Sequence, residues 1–371
     1  MSNEESIDQL PKDHDPGRGF SRRELIRRAA LGTTALSIPA VVSALGQNPG
    51  TADAAQSLAP LRANPYPGHP RWRFTFVNHV TTNPFFVPTQ YGAQDAARLF
   101  NCQFQWTGSV SSNVAEMVNA MNTAIAANVD GIAVAIIDPH AFNDPVNRAL
   151  AKGIPVVAYN ADAPASSHNS RLAYIGQDLY LSGFKMGQRI VNLVGRGDVV
   201  LFIATPGSLN IQPRINGAAA AIRASGGSVH YQEIASGALV PDELARIEAY
   251  YIGHKSIKGM FAVDAGSTQS VGQISQKYHL KGRVKTGGYD LTPVTLNAIA
   301  SGNLNFTIDQ QPYLQGFIPM QQLFLYKLSG GLMFPSDTNT GVKFVTQATV
   351  GKYRRTTSRY EGSSPAEKWI H

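Results

Sequence analysis

The sequence has few of the features on which several protein classes depend. It contains one cysteine, Cys102, which cannot form an internal disulfide and does not follow an apolar leader as a lipid-modified cysteine would. After about the first fifty residues, no apolar run reaches the ~18 residues of a membrane span. We therefore expect neither a disulfide framework nor a spanning helix in the mature chain, and we interpret Cys102 as a small buried hydrophobe.

Catalytic motifs are missing as well. There is no phosphate-binding glycine loop, no Gly-x-Ser-x-Gly elbow, no His-Glu-x-x-His pair and no Gly-x-Gly-x-x-Gly after the first predicted strand. His79 and His140 lie near strand ends, but neither has a second histidine or cysteine at the spacing of metal ligands. The sequence therefore predicts no catalytic residues, no metal ligands, no cofactor and no enzymatic activity.

The formal net charge of +7 raises the question of nucleic-acid binding. The lysines and arginines are scattered, however, and adjacent basic residues occur only in the leader and at Arg354 and Arg355. A nucleic-acid-binding surface needs a basic stripe with aromatic side chains between the charges, and no such stripe is present. We expect no nucleic-acid partner.

The N-terminus predicts an export signal. An arginine pair at 22–23 precedes a mildly apolar run over 29–45 and a small-residue site that ends at Ala54. This order is typical of a twin-arginine signal peptide, whereas an arginine-rich helix start would explain the arginine pair alone. We predict a signal peptide over residues 1–54, a linker rich in alanine and proline over residues 55–70, and a periplasmic or otherwise extracytoplasmic mature protein.

The stretch from Val129 to Asp162 predicts one β-α-β unit. Its two strands, Gly131–Ile137 and Ile154–Tyr159, are continuous apolar runs, as strands of a parallel sheet covered on both faces require. The amphipathic helix between them ends at Gly153, where a left-handed cap is favourable. Each strand delivers polar residues at its carboxyl end, and that edge of an open parallel sheet is where ligands bind.

Strands and helices alternate on both sides of this unit. The repeated pattern predicts an α/β protein of two lobes, each with its own parallel sheet. The further predicted strands are Arg73–Asn78, Gln103–Trp106 and Leu172–Gly176, then Val199–Ala204, a strand ending at Ala235, Gly259–Val263, Arg283–Gly288 and Asn305–Ile308.

Polar and aromatic residues collect at the predicted strand ends. Carboxylates, amides and a guanidinium can bind neighbouring hydroxyl groups of a sugar, while aromatic rings cover its C–H faces. Aspartates outnumber arginines in the set, which favours a neutral carbohydrate over an anion. The candidate residues are Asn83, Phe85, Phe86, Trp106, Asp138, Asn160 and Asp162 in the first lobe, and Arg214, Asp264, Asp290 and Gln310 in the second lobe or at the joint.

Each candidate also has a purely structural explanation. An aspartate that follows a strand often caps the next helix, so Asp138 before Pro139 and Asp290 before Thr292 could serve only as caps. The adjacent rings of Phe85 and Phe86 fit loop packing as well as ligand stacking.

Six phrases, taken in order and spacing, carry a resemblance to a known family. The sequence resembles the ribose-binding-protein family of periplasmic sugar-binding proteins, the type I substrate-binding components of ABC importers, over about residues 72–335. The phrases are NPFF (83–86), DGIAVAIIDP (130–139), GIPVVAYNAD (153–162), FAVDAGS (261–267), GGYD (287–290) and TIDQQPYLQG (307–316).

The resemblance implies two Rossmann-like lobes, joined by a three-strand hinge, that close on a small carbohydrate. It implies an N-terminal lobe over 71–173 plus 311–334 and a C-terminal lobe and tail over 174–310 plus 335–371. It also implies a membrane permease as partner and a monomeric protein. The family's sugar contacts fall in motifs that match here as Asn83, Phe85, Phe86, Asp138, Asn160, Arg214, Asp264, Asp290 and Gln310.

Two departures bear on the ligand. Asn160 and Ala161 stand where ribose binders carry an aspartate and an arginine, so a pentose, a sugar alcohol or a related polyol fits better than ribose itself. The tail is similar to that of furanosyl autoinducer receptors, which leaves a receptor for such a signal, or for a chemosensory ligand, as the alternative function.

Gln212 could take the role of Arg214 with a two-residue shift. A sugar-responsive repressor would carry a helix-turn-helix head where this chain has an export signal.

Overall fold

The computed structural model describes residues 66–367, within which the chain forms twelve strands and ten α-helices. The predicted signal peptide lies outside the described residues, as do residues 55–65 of the predicted linker and residues 368–371. No helix within residues 66–367 is long and apolar enough to cross a membrane.

The strands and helices alternate along most of the chain. The strands are β1 (Arg73–Asn78), β2 (Gln103–Gly108), β3 (Gly131–Val134), β4 (Val156–Tyr159), β5 (Tyr174–Gly176), β6 (Gly197–Ile203), β7 (Val229–Ala235), β8 (Gly259–Ala262), β9 (Lys285–Tyr289), β10 (Phe306–Asp309), β11 (Thr338–Asn339) and β12 (Lys343–Val345). The helices are α1 (Val87–Leu99), α2 (Val114–Ala126), α3 (Asn143–Ala151), α4 (Leu179–Val194), α5 (Gln212–Ala224), α6 (Val240–Gly253), α7 (Ala265–Lys277), α8 (Pro293–Ser301), α9 (Pro312–Leu328) and α10 (Gly351–Arg355).

Two six-stranded sheets divide these elements into two lobes. The first sheet has the order β11-β5-β4-β3-β1-β2 and is parallel throughout. The second has the order β12-β10-β9-β8-β6-β7, in which only β12 runs antiparallel to its neighbour. The α/β fold of two lobes predicted from the sequence is confirmed. In each sheet the order reverses beside the first strand, which creates a crevice at the carboxyl ends of the strands.

The central strands are buried on both faces, as their apolar runs predict. Every residue of β3 and β4 is buried. The regular pairing of β3 ends at Val134, three residues before the predicted end at Ile137, because the amide of Ile136 donates to the carbonyl oxygen of Ala161 in the loop after β4. Cys102 is buried, as expected of a small hydrophobe.

Three connections pass between the two sheets. The first follows β5 and the second follows β10, near the predicted positions. The third lies between β11 and β12, because Thr338 and Asn339 pair with β5 of the first sheet before the chain enters the second. The prediction placed this passage near Pro335, where no strand pairing marks the crossing.

The C-terminal tail returns to the first lobe. Helix α10 packs against α8 of the second lobe, but Arg359 Nε then lies 2.8 Å from Asp95 Oδ2 on α1. Arg98, also on α1, pairs with Glu367 near the end of the described chain. The prediction assigned this tail to the second lobe; its contacts with α1 follow from the buried charge of Arg359, which needs a carboxylate partner.

We predict that Arg359→Ala destabilises the protein by about 1–3 kcal/mol, because it removes a buried cation from between Asp95 and Glu367 and leaves them with the exposed Arg98 as their cation partner. Arg359 is 5% exposed, and its guanidinium lies 2.7 Å from Glu367 Oε1 and over the ring of Tyr91 at 4.8 Å. Urea unfolding measures the change. Arg355→Ala on the exposed side of α10 is the control, and an equal loss in both variants would contradict the prediction.

Candidate functional site

A cavity lies between the two lobes, where the carboxyl ends of both sheets meet. The space within it that a water-sized sphere can occupy is about 50 Å³. The residues that line it include eight of the eleven candidate residues, all but Trp106, Asp138 and Asp162: Asn83, Phe85, Phe86, Asn160, Arg214, Asp264, Asp290 and Gln310.

The loop after β1 provides the aromatic part of the wall. Asn83 Oδ1 accepts a hydrogen bond from the amide of Phe85 at 2.9 Å and so starts a short 3₁₀ turn over Pro84–Phe86. The rings of Phe85 and Phe86 meet edge to face, with centroids 4.6 Å apart. Phe86 also packs against Trp106 of β2. The two phenylalanines therefore pack the loop and line the cavity at once.

Asn160 and Asp290 occupy corresponding positions after the fourth strand of each lobe. Both have left-handed backbone conformations, with φ of 63° and 76°. Asparagine and aspartate tolerate this conformation better than other residues with a Cβ atom. The left-handed turn therefore favours asparagine and aspartate, which are also side chains that can bind a polar ligand.

A chain of amide hydrogen bonds joins these two residues across the lobes. Asn160 Nδ2 donates to Gln315 Oε1 at 3.0 Å, Gln315 Nε2 donates to Gln310 Oε1 at 3.2 Å, and Gln310 Nε2 donates to Asp290 Oδ1 at 2.7 Å. Gln315, on α9, is fully buried and was missed by the sequence reasoning. Its place in the phrase TIDQQPYLQG, one turn into the helix that follows Gln310, was the available signal.

Asp290 is the most deeply buried carboxylate of the cavity wall, at 4% exposure. Burial raises its pKa to about 7, although the charge of Arg214 and the hydrogen bond from Gln310 act in the opposite direction. Among the described residues, only Gln310 donates to this carboxylate, through Oδ1, so Oδ2 is left for another donor.

Arg214 lies beneath the cavity and is 2% exposed. Its Nη1 donates to the carbonyl oxygen of Val263 at 2.7 Å, and its guanidinium lies 4.1 Å from the centre of the Tyr289 ring. Its Nε is buried without a hydrogen-bond partner among the described residues. The alternative, Gln212, accepts a hydrogen bond from Gly207 and does not line the cavity.

Asp264 is the N-cap of α7. Its Oδ1 accepts from the amide of Ser267 at 2.8 Å, and its Oδ2 accepts from the amide of Ala204 at 3.0 Å. Asp264 thus combines the capping role of an aspartate after a strand with a position on the cavity wall.

Two polar residues of the wall, His79 and Asn210, were not among the predicted site residues. His79 was considered only as a metal ligand, and Asn210 lies in the loop after β6, which corresponds to the Asn83 loop of the first lobe. Asn210 Oδ1 accepts from Ser208, so Nδ2 faces His79 Nε2 at 3.1 Å and donates to it. Burial lowers the pKa of His79 to about 3, so the ring is neutral and its proton is on Nδ1.

Asp138 and Asp162 are not brought to the cavity, contrary to the prediction. Asp138 Oδ1 accepts from the amides of His140 and Ala141, the capping role that was its structural alternative. Asp162 pairs with Arg171 through both carboxylate oxygens, beside a separate cavity at the hinge. The left-handed turn at Asn160 redirects the chain, so residues two apart face different cavities.

The arrangement suits recognition of a polyhydroxylated ligand. Two carboxylates, one guanidinium and several amides surround an aromatic wall, and no group of three or more potential metal ligands occurs within residues 66–367. Hydroxyl groups donate to carboxylates and accept from guanidinium and imidazole N–H groups, while C–H faces pack on aromatic rings.

Comparison with protein families identifies one match over most of the chain. The family described as periplasmic binding protein domain matches residues 74–330. The xylose/arabinose-binding protein XylF of Sulfolobus acidocaldarius is 49% identical over 375 aligned residues, which cover 94% of this chain and 92% of that protein.

Solved structures share the fold. A solute-binding protein of an ABC transporter from Burkholderia graminis, in complex with D-arabinose, superposes with a TM-score of 0.71 at 24% identity and covers 78% of this chain and 98% of that one. A solute-binding protein from Agrobacterium vitis with bound D-fucose has a TM-score of 0.71 at 21% identity, over 76% of this chain and 98% of that one.

We predict that Asp290→Asn stabilises the ligand-free protein at alkaline pH. A carboxyl whose pKa is raised by folding destabilises the folded state progressively as pH rises from the unfolded-state pKa near 4 to about 7, and fully above that. Asparagine keeps the left-handed backbone and carries no charge. The variant should therefore match the wild type near pH 4 and exceed it by roughly 2–4 kcal/mol at pH 8.

Thermal unfolding of both proteins between pH 4 and pH 8 tests this prediction. Asp198→Asn, at an exposed position of β6, is the control and should show no such divergence. If the difference in stability between Asp290→Asn and wild type were the same at every pH, ionisation of Asp290 would not destabilise the folded state.

Proposed function

The chain belongs to the periplasmic binding protein family, and on that premise we propose that it captures a small sugar between its lobes and delivers it to the membrane permease of an ABC importer. Membership confirms the resemblance that the strand-end phrases indicated. The family also implies a location outside the cytoplasmic membrane.

Unsatisfied polar atoms in the cavity wall are the observation that carries this proposal. Arg214 Nε and His79 Nδ1 are buried donors without a partner in the described chain, and Asp290 Oδ2 is an acceptor without one. Leaving a buried donor such as Arg214 Nε or His79 Nδ1 unpaired costs about 1–3 kcal/mol. A sugar hydroxyl both donates and accepts, so one ligand can satisfy all three groups.

The ligand we favour is an aldopentose such as xylose or arabinose. The relative from Sulfolobus acidocaldarius is named for xylose and arabinose, and the Burkholderia graminis structure holds D-arabinose. The proposal narrows the set of ligands predicted from the sequence, which were pentoses, sugar alcohols and related polyols, to aldopentoses.

Closure of the lobes would couple binding to a change of shape. Two hydrogen bonds already cross the cleft: His79 with Asn210 at 3.1 Å, and the amide of Leu209 with the carbonyl oxygen of Ile137 at 3.1 Å. A ligand that contacts Phe85 and Asn160 on one lobe and Asp264 and Asp290 on the other binds the closed state better than the open one. Only such differential affinity shifts the equilibrium toward closure.

The proposed role is binding without turnover. The wall holds carboxylates, but Asp264 is engaged by two backbone amides and Asp290 by Gln310, and no activated serine or cysteine lies among the lining residues. We therefore expect the sugar to be recovered unchanged, and we expect the protein to act as a monomer that does not bind nucleic acid.

We further propose export by the twin-arginine route. The arginine pair at 22–23, the mildly apolar run and the site ending at Ala54 support it. This route translocates folded proteins, and a chain that crosses three times between its two sheets suits folding before export.

The first test is a thermal-shift screen of the mature chain with D-xylose, L- and D-arabinose, ribose, hexoses, pentitols and furanosyl signals. A ligand at ~100 times its Kd adds about 2.7 kcal/mol, which should raise the Tm by roughly 5–10 °C. We expect the largest shift with an aldopentose, recovered chemically intact. The proposal would be overturned if no compound of the panel raised the Tm, or if the protein converted the sugar.

Calorimetric titration with the best sugar then tests the site. Asp290→Asn should weaken binding by about 10- to 100-fold, because a hydrogen bond to a charged acceptor is lost. Asp198→Asn should bind like wild type. Unchanged affinity of Asp290→Asn would remove that residue from the site. Asparagine replaces alanine in this test because alanine would be strained at a φ of 76°.

A double Arg22→Lys and Arg23→Lys variant should remain inside the cell with its leader intact, since twin-arginine export depends on the arginine pair. Mass spectrometry of the exported wild type should find Ala55 at the N-terminus. Normal export of the lysine variant would favour another route.

A further inference from the structure

A buried glutamate lies directly behind the cavity wall. Glu243 stands in the first turn of α6 and is 3% exposed, while its neighbour Asp242 is exposed to solvent. A carboxyl group without solvent is costly unless it is neutralised or hydrogen-bonded. Neither helix capping nor solubility explains why a carboxyl group is buried at this position.

The surroundings of Glu243 provide space and few partners. Ser236 donates to Ser267 Oγ at 2.7 Å, and Ser267 Oγ donates to Glu243 Oε1 at 3.4 Å. Glu243 Oε2 has no hydrogen-bond donor in the described chain. It lies over Gly266, where a Cβ atom would come within 1.8 Å of it. Glycine at 266 thus makes room for this carboxyl group.

The remaining neighbour is the carboxyl group of Asp264 on the cavity wall. Burial and the charge of Asp264 together raise the pKa of Glu243 to about 10. Two adjacent buried carboxyl groups cannot both be ionised, so they share one proton near neutral pH. Burial raises the pKa of Asp264 as well, but two backbone amides donate to Asp264 and stabilise its charge, so the shared proton is assigned to Glu243.

We infer that Glu243 is a positioning residue of the sugar site: its neutral carboxyl group donates a hydrogen bond to Asp264 and holds that carboxylate against the cavity. This inference rests on the proposed function and extends it to a residue that does not itself line the cavity. Asp264 is thereby held from three directions, by the amides of Ala204 and Ser267 and by the Glu243 hydroxyl, with its orientation toward the ligand fixed.

No neighbouring cation neutralises the carboxyl group of Glu243 among the contacts of the described residues. The charged groups that act on it are Asp264, from the end of β8, and Asp242, from its own helix, and both are acidic. The polar groups that α7 and the end of β7 present to it are the neutral hydroxyls of Ser267 and Ser236. With no cation in contact, protonation is the means by which this carboxyl group is neutralised.

The test compares Glu243→Gln, Glu243→Leu and the exposed control Asp242→Asn in titrations with D-xylose and arabinose at pH 7.5. Glutamine has the same shape and an N–H that can donate to Asp264, so its affinity should stay within about threefold of wild type. Leucine cannot donate, and its affinity should fall at least tenfold. Wild-type affinity for Glu243→Leu, or an equal loss in Glu243→Gln, would overturn the inference.

A pH profile separates positioning from a merely structural role and remains informative if Glu243→Leu does not fold. Above pH 9 the wild type should lose affinity as Glu243 ionises and repels Asp264, whereas Glu243→Gln, which cannot ionise, should keep it. Parallel profiles for the two proteins would overturn the inference. If the wild type binds no sugar at any pH, the proposed function fails instead.

Discussion

Polar groups buried between the two lobes need hydrogen-bond partners in place of water, and this requirement organises the cleft. Asn160, Gln315, Gln310 and Asp290 meet it by bonding to one another in a chain that joins the lobes. Arg214 and His79 meet it only in part, because each keeps a buried donor without a partner. We propose that a hydroxylated ligand supplies the unmet part, so that the same burial that costs stability in the empty protein provides affinity in the bound one.

The acidic groups of the cleft follow the same logic in different protonation states. Two backbone amides donate to Asp264 and oppose the rise that burial causes in its pKa, while burial and the charge of Asp264 together raise the pKa of Glu243 behind it. Asp290 lies between these extremes, with burial opposed by Arg214. Asp264, Glu243 and Asp290 are thus carboxyl groups of different pKa that lie close together at the strand ends of the second lobe. Such a group of perturbed pKa values is typical of a functional site.

Much of the site followed from the sequence because strand ends are local features. An apolar run followed by Asn83, Asn160, Asp264 or Asp290 fixes both the end of a strand and the edge of the sheet where that residue lies. Asp138 and Asp162 followed the same rule and did not reach the cavity, because the chain had already turned. Asn210 reaches it from a long loop with no local pattern that marks a cavity residue, and Gln315 contacts Asn160 and Gln310 of its wall from a helix.

The sequence by itself determined the α/β class, the two lobes and the strand ends, since hydrophobic periodicity and turn residues act over a few neighbours along the chain. The tertiary structure alone decided which polar atoms are left without partners, where the third hinge connection lies and that the tail returns to α1. It also decided that Glu243 lies against Asp264, with Gly266 leaving the space. These outcomes depend on distances between residues far apart in the chain, and on burial, which sets the strength of every charge and hydrogen bond in the cleft.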